Sequence, residues 1–295
     1  MKLLRRTFST FRMACSRYEY VKQFELDDKI LPNTWIVVRV DGKGFHKFAN
    51  IHNFEKPNDV RALNLMNYAA VTVMQEFRDI VIGFGQSDEY SFVFRKSTEI
   101  YKRRCAKIMS MVTSLFTSAF VLNWTRFFPD NRLHYAPCFD GRIVLYPSDE
   151  NLRDYLSWRQ ADVHVNNLYN TAFWNLVLRD NLTNSAAEER LRGTMAAEKN
   201  ELLFQRFKIN YNNEPAIFRK GTVLLRKRVH AEKIDLKRQL IVPQHIDLIK
   251  DSFWSENWEL LDTKGAGGDV FHLKDKDLPL LMQLQLSGRG HEAGN

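Results

Sequence analysis

Two carboxylates at the mouths of apolar segments are the side chains best placed to do chemistry. Asp41 closes Trp35-Ile-Val-Val-Arg-Val-Asp41-Gly42, and Asp88 sits inside Ile80-Val-Ile-Gly-Phe-Gly-Gln-Ser-Asp88-Glu89-Tyr-Ser-Phe-Val-Phe94. An acid ending one buried strand and another in the turn of an adjacent hairpin can converge on a pair of divalent cations, the arrangement of two-metal phosphoryl and nucleotidyl transfer. Either alone reads as a turn residue; two on neighbouring strands are harder to explain as decoration. The carbonyl of Gly42 can also reach a cation. Lys43, Gly44, Phe45 and His46 follow at once, and backbone N–H groups of a Gly-containing turn can hold a phosphate. Successive strand side chains face opposite ways, so Asp88 rather than Glu89 is the expected ligand. Ser87 then falls on a phosphate oxygen, and Glu89 is structural or stands behind the ligands.

Positioning these acids requires a strand over 35–40, a helix opened by Asn58 or Asp59 with Leu63, Met66, Ala70, Val73, Met74 and Phe77 at helical spacing, and a hairpin of 80–85 with 90–94. A second helix from Ser97 or Thr98 buries Ile108, Val112, Leu115, Phe116 and Ala119, and 141–146 supplies a fourth strand. The order βαββαβ is an α+β pattern. It folds most simply as one antiparallel sheet with both helices on one face, the split βαβ or ferredoxin-like arrangement. Beyond Pro147 the pattern is mostly helical, over 151–179 and 186–207, followed by a basic strand or hairpin over 217–228 carrying Arg219, Lys220, Arg226, Lys227 and Arg228. The Gly-rich polar segments 265–269 and 287–295 read as disordered.

Lys102, Arg103, Arg104 and Lys107 open the second helix with the wrong sign for its dipole, a penalty that a bound polyphosphate removes. Arg104 and Lys107 share a helical face and are candidate triphosphate contacts, with Lys56 a third; Lys102 and Arg103 read as solvated. In Trp158-Arg-Gln-Ala-Asp162-Val-His164-Val-Asn166-Asn167-Leu-Tyr169-Asn170, amides and an imidazole interrupt an apolar helical pattern. A buried polar network and a surface that reads unpaired bases both account for it.

With 43 Lys and Arg against 35 acids, the net charge of +8 and pI near 9.3 fit an anionic partner such as nucleic acid, or simply a basic surface. Cys15, Cys105 and Cys138 are too scattered for a disulfide framework or a paired-ligand zinc site, as in a reducing compartment. Arg or Lys interrupts the apolar runs, so no membrane span is expected and the chain is expected to be soluble. Residues 1–18 hold Lys2, Arg5, Arg6, Arg12 and Arg17 and no acid. They read as a mitochondrial presequence or a disordered basic tail, with Met13 an alternative start; the expected location is the cytoplasm, the mitochondrion or both.

Read together, Val-Arg-Val-Asp-Gly-Lys-Gly-Phe-His, Lys56-Pro-Asn-Asp, Phe-Gly-Gln-Ser-Asp-Glu-Tyr-Ser-Phe, Asp154-Tyr-Leu-Ser-Trp-Arg, His164-Val-Asn-Asn-Leu-Tyr-Asn and Ile209-Asn-Tyr-Asn-Asn-Glu-Pro resemble the tRNA(His) guanylyltransferases, from about residue 13 to about 261. The resemblance implies a palm-like catalytic domain, as in polymerases, and addition of a guanosine to the 5′ end of histidine tRNA. ATP first adenylylates the 5′-monophosphate, the 3′-hydroxyl of GTP then attacks, and pyrophosphate is later removed. It also implies two Mg²⁺ on Asp41, the Gly42 carbonyl and Asp88, and nucleotide contacts at Asp41, Gly42, Lys43, Gly44, Phe45, His46, Ser87 and Asp88. Lys56, Arg104 and Lys107 match triphosphate contacts, and His164, Lys199 and Asn210 match positions of tRNA recognition, the anticodon included. Gly44 stands where relatives often carry a larger polar residue, leaving only backbone contacts there. The implied assembly is a homotetramer, a dimer of dimers. On this reading 19–147 is the catalytic domain, 148–262 a helical and basic tRNA-interacting region, and 263–295 a largely disordered tail. A nucleotide cyclase or 5′-to-3′ polymerase on the same palm, and a tRNA-binding protein without catalysis, are the competing readings; retention of both acids speaks against the last.

Overall fold

In the computed structural model, residues 16–231, 234–261, 270–273, 282 and 285 are described, and the basic segment 1–15 lies outside them, as do 265–269 and 287–295. The first half runs β1 (Trp35–Gly42), α1 (Phe45–Ile51), α2 (Val60–Glu76), β2 (Ile80–Gln86), β3 (Glu89–Phe94), α3 (Cys105–Leu122), α4 (Trp124–Phe127) and β4 (Phe139–Tyr146). The second half continues with α5 (Asp149–Leu178), α6 (Asn184–Leu191), α7 (Ala196–Phe207), α8 (Ala216–Lys220), β5 (Thr222–Ala231), β6 (Ile234–Gln244), α9 (Asp251–Glu256) and β7 (Val270–Leu273). Strand order is β4-β1-β3-β2-β5-β6, and its first four members are the split βαβ sheet expected from the pattern.

Alternation along β1 explains how the sheet is covered. Ile36, Val38 and Val40 face α2 and α3, where they join Leu65, Met74, Ile108, Val112 and Phe116. Trp35 and Val37 point the other way and pack, with Ile82, Phe84 and Val93, against Leu152, Tyr155 and Leu156 of α5. A strand buried on both faces loses the polar alternation of a half-exposed one, which is why β1 reads as continuously apolar. The basic segment after residue 216 is helical only to Lys220; β5 then pairs antiparallel with β2, so the second half completes the first half's sheet. In the tail, β7 pairs parallel with β5, and Gln285 exchanges hydrogen bonds with the Ile241 backbone (3.1 and 2.7 Å).

Four further expectations are corrected. The second helix starts at Cys105, because Tyr101, Lys102 and Arg103 adopt positive φ (48°, 55° and 57°). Arg103 is buried rather than solvated; its guanidinium donates to the carbonyls of Thr98 (2.9 Å), Lys96 (3.2 Å) and Leu31, and this knot displaces the helix start. Residues 186–207 break into α6 and α7 at Gly193 (φ 71°). Finally, Cys105–Leu122 is long and apolar enough to cross a membrane, with mean hydropathy 1.6 over 18 residues, but its Ile108, Val112, Phe116 and Phe120 pack in the core.

Candidate active site

Asp41 and Asp88 are brought together by the end of the β1–β3 ladder. Asp41 is the register partner of Glu89, and the Gly42 N–H donates to the Asp88 carbonyl (2.9 Å). Ser87 takes a left-handed φ of 47° to make the two-residue turn between β2 and β3. Gly42 is obligatory, since a Cβ there would lie 2.3 Å from the Phe45 ring. Lys43 N–H is committed to the Cys138 carbonyl (2.8 Å). Gly44, at φ 68°, caps α1, whose first N–H groups have no acceptor within the helix. Phe45 is a core residue, stacked on Phe48 at 4.8 Å and packed on Phe139, whereas His46 is exposed.

Burial pushes the Asp88 carboxyl up from its ordinary value, the charges of Asp41 and Glu89 push in the same direction, and a hydrogen bond from Ser87 opposes them. Arg39 is shared between Asp41 (2.5 Å) and Glu89 (2.6 Å). Arg159 reaches Glu89 from α5 (3.4 Å), itself held by Asp162 (2.8 Å). These arginines were not legible as site residues. The only local signal was Arg39 two positions before Asp41, on the same strand face.

A cleft of about 670 Å³ opens beside this turn. Gln86, Ser87 and Asp88 form one wall, His46 and Lys56 another, and Asn166, Asn170 and Trp174 of α5 a third. Lys56 stands 5.1 Å over the Trp174 ring, and burial lowers its pKa. The structure does not bring Arg104 and Lys107 to this cleft. α3 begins after β3 has run to the strand end opposite Asp41; there Arg104 lies 3.5 Å from Asp28 and Lys107 stands over Tyr101 at 4.8 Å.

His164, Lys199 and Asn210 gather on the lobe built from α5, α6 and α7. His164 is exposed and edge-on to Tyr211 (5.4 Å), Lys199 donates to the Thr194 carbonyl (2.7 Å), and the Asn210 side chain accepts from Asn212 N–H (3.0 Å). The two readings of 158–170 divide by residue. Asn167 is buried and bonds Asn58 and Tyr211, both at 2.9 Å, while His164, Asn166 and Asn170 are open to solvent.

A palm-like antiparallel sheet with paired acids beside such a cleft suits the machinery of a nucleotidyltransferase. Residues 18–147 match the family model for tRNAHis guanylyltransferase, and 150–256 match that for the Thg1 C terminal domain. The chain belongs to the tRNA(His) guanylyltransferase family. It is 62% identical to the probable tRNA(His) guanylyltransferase of Drosophila melanogaster over 278 residues, covering 94% of this chain and 95% of that protein. It is 56% identical to the tRNA(His) guanylyltransferase of Schizosaccharomyces pombe over 252 residues (82% and 96%). The crystal structure of the Saccharomyces cerevisiae tRNA(His) guanylyltransferase superposes with TM-score 0.68 at 44% identity, covering 77% of this chain and 96% of that one. A bacterial Thg1-like protein solved in complex with ATP shares the fold at 22% identity, TM-score 0.63 and coverage of 82% and 95%.

Proposed function

We propose that this chain adds a guanosine to the 5′ end of histidine tRNA in a Mg²⁺-dependent reaction, first adenylylating the 5′-phosphate with ATP and then joining GTP through its 3′-hydroxyl. The observation that carries the reading is the meeting of Asp41 and Asp88 through the Gly42–Asp88 backbone bond, with Asp88 on the wall of the cleft. The site suits hard cations. Its donors are oxygens, and the Asp88 carboxyl is pushed up by burial and by the neighbouring charges of Asp41 and Glu89. Bound Mg²⁺ would supply neutralisation of the charge that builds on phosphorus and on the leaving oxygen.

The remaining work falls to the chain. Lys56 offers a desolvated ammonium to a triphosphate in the cleft, and Ser87 a hydroxyl beside it. In the first step an oxygen of the tRNA 5′-phosphate attacks the α-phosphorus of ATP and pyrophosphate leaves. In the second the GTP 3′-oxygen attacks the tRNA 5′-phosphorus, AMP leaves, and the hydroxyl proton passes to solvent. Arg104 and Lys107 would meet a triphosphate on a separate surface, at the far end of the strands. His164, Lys199 and Asn210 would read the tRNA, and the working assembly would be a homotetramer. Incubation with α-labelled ATP and 5′-monophosphorylated histidine tRNA tests the reading. A labelled, adenylylated tRNA end is expected, and its absence in the presence of Mg²⁺ would overturn it.

A further inference from the structure

Five side chains at the site form a line of alternating charge: Asp41, Arg39, Glu89, Arg159 and Asp162. Glu89 is its centre. Its carboxylate takes Arg39 at 2.6 Å on one side and Arg159 at 3.4 Å on the other, and accepts from the Gln86 amide at 3.0 Å. Arg159 is almost wholly buried and lies 3.5 Å over the Trp158 ring, so it holds one position. The Nε atoms of Arg39 and Arg159 are buried without a hydrogen-bond partner, so neither guanidinium is saturated.

Arg39 competes with any cation for Asp41, because its guanidinium already occupies that carboxylate at 2.5 Å. For Asp41 to take a cation, Arg39 must keep a counter-ion elsewhere, since a guanidinium shielded from water without a carboxylate is strongly disfavoured. The carboxylate already in contact with it is Glu89, opposite Asp41 across the ladder. We propose that Glu89 is a positioning residue, not a cation ligand: held in place by Arg159 and Gln86, it retains Arg39 and so releases Asp41 for the cation. This rests on Asp41 being a cation ligand.

The test titrates Mn²⁺ alone into the full chain and reads binding by electron paramagnetic resonance, without turnover. Glu89→Gln leaves Arg39 with Asp41 as its remaining carboxylate and should weaken Mn²⁺ binding about tenfold or more. Arg39→Met removes the competitor and should bind Mn²⁺ at least as tightly as the parent. The decisive variant is Arg39→Met combined with Glu89→Gln, which should recover parental binding. A double variant as weak as Glu89→Gln would overturn the proposal, because a lost ligand is not restored by deleting an arginine. Unchanged binding in Glu89→Gln, or weakened binding in Arg39→Met, would overturn it equally. If Glu89→Gln fails to fold, Glu89→Asp, one methylene shorter, draws the carboxylate back from Arg39 and is read the same way, alone and with Arg39→Met. Asp41→Asn separates the two layers: undiminished Mn²⁺ binding there would remove the ligand reading itself, whatever Glu89 does.

Discussion

Burial works against the charge on Asp88. A carboxyl whose folded pKa is raised contributes stability at low pH that is lost as pH rises through that pKa, so at neutral pH its charge is a burden on the metal-free protein. Asp88→Asn should therefore abolish guanosine addition while raising the thermal midpoint of the metal-free chain at pH 7, and Asp41→Ala should be equally inactive with its fold intact. Turnover near the parental rate at saturating Mg²⁺ in either variant would contradict the two-acid site. His52 works in the opposite direction. It is fully buried, with Nδ1 2.8 Å from the Phe48 carbonyl and Nε2 accepting from the His134 N–H at 3.0 Å, and burial lowers its pKa. The unfolded chain then takes up a proton that the folded one refuses, so stability should fall as pH drops below about 6.5. Denaturant midpoints between pH 8 and 5 check this; His52→Gln, which cannot be protonated, should flatten the slope. Asp41 and Asp88 were legible because each is marked locally, by an apolar run meeting a turn residue. Arg39 and Arg159 were not, because their ion pairs with Glu89 join residues far apart in the chain and leave no periodic trace.

Among the elements, α5 has two occupations. Its first half covers the sheet with Leu152, Tyr155 and Leu156, and its second half packs Leu168, Ala172 and Leu176 against α6 and α7. His164 lies between these contacts, exposed, so its replacement costs little packing. Alanine at His164, Lys199 or Asn210 should lower guanosine addition while leaving the metal site competent. With tRNA supplied already 5′-triphosphorylated, the parent should discriminate the GUG anticodon from an altered one and the variants should not; undiminished discrimination would send the search to Arg219. The long periodic elements α2, α3 and α5 were readable, but the short α1 and α9 and the strand β6 were not, and neither were element boundaries. The start of α3 was displaced by the Arg103 knot, whose acceptors at Leu31 and Thr34 lie far back in the chain.

At the scale of the molecule, the largest gap between sequence and structure is the role of the second half. Local patterns foretold the order β4-β1-β3-β2, whereas the pairing of β5 with β2 joins residues about 140 positions apart and was invisible to them. One consequence concerns a cut of the chain at Pro147. A fragment ending there would expose Trp35, Val37, Ile82, Phe84 and Val93, an apolar face now covered by α5, Phe253 and Trp254. Residues 16–147 alone should be poorly soluble or bind hydrophobic dyes, and a monodisperse fragment with cooperative melting would refute this.

The junction also governs how the protein can move. Only Pro147 and Ser148 separate the end of β4 from the start of α5, and Ser148 is itself tied as a helix cap, its hydroxyl accepting from Asn151 N–H at 3.0 Å. The chain then returns to the same sheet through β5. A hinge needs a few residues free to swing and two bodies free to separate, and this topology supplies neither. Nucleotide entry is therefore expected to be accommodated by the loop carrying Lys56 and by side chains such as Trp174, not by closure of two jaws. Small-angle scattering should show an unchanged radius of gyration when nucleotide saturates a fixed assembly.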